Sequence, residues 1–238
     1  MAVLSAAFAA TVGPSLYWYV TRASGAVSLV LLTASVVIGI AAMARLRGPG
    51  VPRFMVDGIH RTVSLLAVAF LVVHIITAVL DTFAPIGLLD AVIPFNGTYR
   101  PLWLGLGAVS FDLLLAVTIT SLVRVRLGYR VWRGVHWLAY GAWPVAVLHG
   151  FGTGSDTRQG WMLAIDIICI GVVLSALAIR AMIGWPENAP LRVVALGVAG
   201  VFALGLIVWL PGGPMAKGWA RRAGTPPTLL GHATGKRA

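Results

Sequence analysis

Two stretches decide the fold of this chain: HRTVSLLAVAFLVVH at residues 60–74 and HWLAYGAWPVAVLH at residues 136–149. Each begins and ends with histidine and is otherwise mostly apolar. Along an α-helix at ~1.5 Å per residue, His60 and His74 lie ~21 Å apart, and steps of ~100° return them to nearly one face. Since the hydrocarbon core of a bilayer is ~30 Å thick, each stretch predicts a membrane-crossing helix with a histidine near each side.

The second stretch fits this pattern only if its helix is distorted. On an ideal helix His136 and His149 point roughly 140° apart, so this helix must be overwound or bent. Pro144 lies between them and is a known cause of such a bend. The two helices can then face each other with paired imidazoles at two depths. A heme iron takes one axial nitrogen from each side, so the pattern fits two stacked hemes.

The composition indicates an integral membrane protein. Of 238 residues, 59% are hydrophobic and 11% charged, and the mean hydropathy of +0.91 lies outside the range of soluble globular proteins. The net charge of +11 comes from short basic clusters between apolar runs, a pattern that indicates membrane topology and argues against nucleic acid as a partner. The single cysteine, Cys169, excludes a disulfide framework and a thiolate metal site.

Six apolar runs predict an all-α bundle of six transmembrane helices, with the hemes between the second and fourth. The runs cover residues 17–43, 58–80, 101–123, 134–151, 161–183 and 190–210. We divide the chain into a short apolar N-terminal segment at 1–16, a heme-binding transmembrane domain at 17–183, and the sixth helix with a basic polar tail at 184–238. The first segment lacks Lys and Arg, unlike a secretory signal.

The arginines of the short connections predict the orientation in the plasma membrane. Cytoplasmic loops are enriched in Lys and Arg. One side holds ten arginines and the other three, which predicts that both termini are extracytoplasmic; the basic tail alone disagrees. The ten are Arg45, Arg47, Arg53, Arg61, Arg124, Arg126, Arg130, Arg133, Arg180 and Arg192, and the three are Arg22, Arg100 and Arg158.

At the four histidines, the sequence resembles the ferric reductase transmembrane domain, which iron-reducing enzymes share with the membrane half of NADPH oxidases. The resemblance covers Tyr17 to Ile183 and is nearest to stand-alone bacterial heme proteins, such as the membrane subunit of the periplasmic methionine sulfoxide reductase system. It implies two b-type hemes, the inner held by His60 and His136 and the outer by His74 and His149. Cytochromes b of quinol-oxidising complexes have similar histidines but a Pro-Glu-Trp-Tyr motif, whereas the one glutamate here lies in the sequence Pro186-Glu187-Asn188.

The resemblance implies an oxidoreductase component that transfers electrons across the membrane. The segment 211–238 is too short for a Rossmann-type unit, so we expect no flavin or NADPH domain in this chain. The donor would be a quinol or a separate cytoplasmic flavoprotein, and the acceptor an extracytoplasmic reductase, flavoprotein or ferric ion. The alternative is a heme-free transporter or assembly factor whose histidines are structural or bind a metal.

Arg22 is a further candidate for cofactor binding. Near the outer end of the first helix it would pair with propionates of the outer heme or reach toward lipid headgroups. The small residues Ala23, Ser24 and Gly25 would admit a flat macrocycle, although they also serve helix packing. Further propionate candidates are Trp132 and Arg133 at the inner side and Tyr99 and Arg100 at the outer side.

Four other intramembrane side chains have two interpretations. Asp112 and Asp166 would carry protons or form fixed hydrogen bonds in the bundle, and we favour the hydrogen bonds. Tyr140 and Trp143 would lie between the hemes or pack the core, and we favour packing. The fifth histidine, His232, is in the tail and has no assigned role.

Overall fold

The computed structural model describes residues 15–43, 52–183 and 185–230, and within these ranges it contains helices and no strand. Five of the helices are long and apolar enough to cross a membrane. The α-helices are α1 (Leu16–Met43), α2 (Arg53–Leu80), α3 (Pro101–Leu122), α4 (Arg124–Leu127), α5 (Tyr129–His136), α6 (Ala139–Thr153), α7 (Gly160–Met182), α8 (Ala189–Gly212), α9 (Trp219–Arg222) and α10 (Pro227–Leu230).

Two helix pairs form the bundle around the histidines. The first helix, α1, packs along α2 and also against α7, while α3 packs along α6. A core of buried side chains joins them; it includes Leu32, Trp143, Phe151 and Val173. The outermost helix, α8, exposes most of its apolar residues. Hydrocarbon solvates such side chains as well as a protein core does, so an exposed apolar face is the expected state of a helix in lipid.

The fourth predicted span, 134–151, is not one helix: it is divided into α5 and α6 between His136 and Ala139. Around the break, hydrogen bonds run from the N–H of Leu138 to the carbonyl of Val135 (2.9 Å) and from that of Gly141 to Leu138 (3.0 Å). These bonds span three residues, as in a 3₁₀ turn, so each residue rotates further than in an α-helix. The predicted overwinding is therefore confirmed. The break lies nearly two turns before Pro144, whose ring excludes the regular α-helical bond to Tyr140.

The segment after α8 folds back onto the end of the bundle where His74 and His149 lie. The Trp219 indole donates to the Gly152 carbonyl at 3.1 Å, and Trp103, Trp209 and Trp219 pack together with ring centroids 5.0–5.7 Å apart. Arg100 is 7% exposed and donates to the carbonyls of Gly152 (3.1 Å) and Thr153 (3.0 Å) and to the Thr225 hydroxyl (2.9 Å). The segment therefore lies at the same end of the bundle as Arg100.

We expect Arg100→Gln to loosen this segment, because the shorter neutral side chain cannot reach all three acceptors. Hydrogen bonds from a charged donor are worth ~1.5–3 kcal/mol each, and unsatisfied buried acceptors add a further cost. The free energy of unfolding should fall by about 2–4 kcal/mol, and proteolysis within the segment that follows α8 should accelerate. Arg158→Gln is the control: Arg158 is exposed and bonds only the Met215 carbonyl among the described residues, so its loss should cost under ~1 kcal/mol.

Candidate cofactor site

A large cavity lies between the two helix pairs. Its volume is about 1510 Å³, and its lining includes all four intramembrane histidines, His60, His74, His136 and His149. Pockets for one small ligand usually measure ~300–1,000 Å³. The cavity therefore has room for more than one ligand, or for one long ligand.

The histidines meet across this cavity in the two predicted pairs. The ring centroids of His60 and His136 are 6.2 Å apart and those of His74 and His149 are 6.5 Å apart. An imidazole nitrogen lies ~2 Å from a bound metal ion, and the ring centroid ~1 Å behind that nitrogen. Two imidazoles on opposite sides of one iron would thus have centroids about 6 Å apart. Both pairs therefore fit a bis-histidine heme.

The His74–His149 pair is oriented by main-chain oxygens. Nδ1 of His74 is 2.7 Å from the carbonyl of Thr21, and Nδ1 of His149 is 2.8 Å from that of Trp103. A carbonyl only accepts, so each Nδ1 carries the proton and Nε2 keeps its lone pair for a metal. The four-histidine pattern did not predict these partners, since main-chain contacts between distant segments leave no residue signature.

The His60–His136 pair has different surroundings. Neither Nδ1 forms a hydrogen bond with a group that the structure describes, although both atoms are buried. The main chain at Ser35 faces His60 but lies outside hydrogen-bonding geometry. The ring of Trp132 packs against His136 at 5.1 Å between centroids. Packing against Trp132 therefore orients the His136 imidazole.

Glycines make room for three of the four rings. A Cβ at Gly25 would lie 2.9 Å from Nδ1 of His74, and one at Gly107 would lie 2.5 Å from Nδ1 and Cε1 of His149. At Gly39 it would be 3.4 Å from Cε1 of His60. Gly25, predicted to admit a flat macrocycle, thus makes room for the edge of the His74 imidazole. The buried Ser24 hydroxyl donates to the Val20 carbonyl of its own helix. The roles of Gly39 and Gly107 were not predicted from the sequence pattern.

Arg22 lines the cavity but has a partner within the protein. Its guanidinium forms an ion pair with Asp156 and lies 3.7 Å from the ring centroid of Trp18. Asp156 is buried, whereas Arg22 keeps a quarter of its side chain exposed. The propionate role of Arg22 therefore stays a prediction, and Asp156 is the residue that holds the guanidinium at the cavity mouth.

The remaining candidates divide by position. Trp132, Arg133, Tyr99 and Tyr140 line the cavity. Arg100 is engaged with the main chain as described above. Trp143 is buried and donates to the Thr33 hydroxyl at 2.9 Å, so the packing interpretation is confirmed for it.

The two intramembrane carboxyl groups differ in burial. Asp166 is 6% exposed and Asp112 is half-buried. Among the described residues neither forms the side-chain hydrogen bond that we favoured, so that interpretation has no support here. Four predicted features lie outside the described ranges: most of the 1–16 segment, Arg45, Arg47 and His232.

Comparison with known protein families agrees with this geometry. The sequence matches the family described as the ferric reductase like transmembrane component over residues 24–147, more than half of the chain. The protein belongs to this family. Such domains generally bind heme, and membership indicates electron transfer across a membrane. The match to the ferric reductase family includes His60, His74 and His136 and ends two residues before His149. Comparisons with curated proteins and with solved structures gave no match.

Proposed function

We propose that this ferric reductase family member is an electron conduit of the plasma membrane that carries two b-type hemes. His60 and His136 would hold one heme near the cytoplasmic side, and His74 and His149 the other near the outer side. The observation that carries the proposal is the pair of matched centroid distances, 6.2 and 6.5 Å, at two levels of one cavity. Each heme would supply a one-electron carrier.

The protein's own groups hold and insulate these carriers. The carbonyls of Thr21 and Trp103 keep the Nε2 atoms of His74 and His149 available as ligands. The cavity walls are mostly apolar, which limits water near the rings. Because two histidines would hold each heme, electrons would leave at the heme edge rather than through a further ligand at iron. Arg22 at the cavity mouth and Arg133 near His136 are the propionate partners that we propose.

The same geometry weighs against a metal ion held by protein side chains alone. Each level brings together two imidazoles, and within the described residues no group of three or more His, Cys, Asp or Glu side chains could hold a metal ion. A porphyrin supplies four nitrogens of its own and needs only the two axial ligands. We propose a quinol or a separate cytoplasmic flavoprotein as donor, and an extracytoplasmic reductase, flavoprotein or ferric ion as acceptor.

A pyridine hemochrome assay tests the proposal. The purified full-length protein should contain two b-type hemes per chain and show a reduced b-type spectrum. A colourless preparation that is well folded and binds no added hemin would contradict it. In liposomes, reduction by menaquinol would support the quinol as donor, whereas reduction only with a flavoprotein and nicotinamide would support the flavoprotein.

A further inference from the structure

Residues 213–230, which fold back after α8, lie beyond the part of the chain that matches the family, since that match ends at residue 147. Family membership therefore assigns this folded-back segment no role. The segment contacts the start of α3 and the end of α6. His149 lies in α6, and the Trp103 carbonyl that faces its Nδ1 lies in α3. The segment is thus attached to the two helix ends that carry this ligand and its hydrogen-bond acceptor.

The indole of Trp103 is the point where the folded-back segment meets the His149 level. This ring stacks on Trp209 of α8, with centroids 5.0 Å and planes 24° apart, and packs against Trp219 at 5.3 Å. It also lies against Gly152 of α6, where an added Cβ would overlap the ring. Close packing on three elements restricts the movement of the ring and of its own main chain, which includes the carbonyl that faces His149.

The folded-back segment also holds the last turn of α6. The last carbonyls of a helix have no N–H partner within it, and Gly152 is one of these, three residues after His149. Its carbonyl accepts from the Trp219 indole and from Arg100, each at 3.1 Å. The same arginine donates to the Thr225 hydroxyl of the segment at 2.9 Å. Both donors of this carbonyl therefore belong to the segment or are bonded to it.

The contacts of the folded-back segment lie at one end of the bundle. Among the described residues, its hydrogen bonds to elements other than α8 are made with Arg100, Gly152 and Arg158. The His60–His136 level is about 21 Å away along α2, at ~1.5 Å per residue. A change in the segment should therefore act on the His74–His149 level, and the distant level provides an internal control.

We propose that the folded-back segment is a positioning element of the heme site at His74 and His149, with Trp219 and Trp103 as its positioning residues. The inference rests on the proposed function, since it requires a heme at this level. Neither indole is among the residues that line the cavity, so both act through the main chain rather than by touching the cofactor. They keep the Trp103 carbonyl against Nδ1 of His149 and so keep Nε2 directed at the iron.

Trp219→Leu tests this role in the heme-loaded full chain in nanodiscs. Leucine stays apolar but loses the indole N–H and the ring contact with Trp103. Transfer of heme to excess apomyoglobin should proceed in two phases, one for each level. Trp219→Leu should accelerate one phase ~10-fold, the lower end of the effect of losing an outer-shell partner, and leave the other within about twofold. The ferric low-spin EPR signal of the faster heme should also change, since its axial imidazole loses a hydrogen bond.

Two further variants separate positioning from general stability. His149→Leu assigns the phases, because it retains only the His60–His136 heme, and in this background Trp219→Leu should change neither the release rate nor the EPR signal. Trp161→Leu is the matched control: it makes the same replacement at an indole that is 49% exposed near the start of α7, and both phases should stay unchanged.

If Trp219→Leu protein does not fold, Thr225→Val decides instead. It removes the hydroxyl that joins the segment to Arg100 at nearly constant volume, and it should accelerate the same phase ~3-fold. Equal acceleration of both phases, an equal effect of Trp161→Leu, or release that neither segment variant changes would overturn the inference. Each of these results requires bound heme, so they differ from failure of the proposed function, in which no heme binds.

Discussion

Replacing His149 with leucine is expected to reduce the heme content from two per chain to one. Leucine fills a similar volume but has no nitrogen, so the His74–His149 level loses one of its two axial ligands while the His60–His136 level, on α2 and α5, is unchanged. Loss of an outer-shell partner alone commonly lowers metal affinity ~10–100-fold, and loss of the ligand itself should exceed that. Electron transfer across liposomes should fall at least ~100-fold.

The measurement combines hemochrome quantification with reduction of an impermeant acceptor by an enclosed donor. His232→Leu is the control, since it removes the one other histidine of the chain and should retain both hemes. His60→Leu should lose the heme at the His60–His136 level and retain the heme at the His74–His149 level. Two hemes in His149→Leu would contradict the assignment of this residue, even if the family function stood.

The second large effect is expected from Gly107→Ala. Its Cβ would lie 2.5 Å from two atoms of the His149 ring, closer than side chains ever pack. Because α3 and α6 pack along each other, the ring must move away, which breaks its 2.8 Å hydrogen bond to the Trp103 carbonyl. We expect heme affinity at this level to fall ~10–100-fold, while the affinity of the other level stays within twofold.

Gly141→Ala provides the matched control for this substitution. Gly141 lies in α6, the helix of His149, and a Cβ there would meet nothing within 4 Å outside its own helix. Both substitutions replace glycine by alanine within a helix, which favours the helical state by ~1 kcal/mol, so a difference between them reports the contact with His149. Equal heme content in hemin titrations of the two variants would contradict the proposed crowding.

The length and periodicity of the apolar runs were enough to predict most of the fold. Five of the six predicted spans correspond to long helices, because burial in lipid requires an apolar run that satisfies its own backbone. The fourth run failed as a continuous helix. Its histidine spacing already required extra rotation, and the chain supplies it through a break at Trp137 and Leu138 rather than at Pro144 itself.

The sequence by itself determined which side chains pair across the bundle, because helix rise places His60 at the depth of His136 and His74 at the depth of His149. Only the tertiary structure decided what surrounds each pair. The carbonyls of Thr21 and Trp103 and the clearance at Gly107 come from segments far apart in the chain. Every residue type has a main-chain carbonyl, and a glycine has no side-chain group that would mark a contact. Contacts of these two kinds are therefore defined only when the helices have packed.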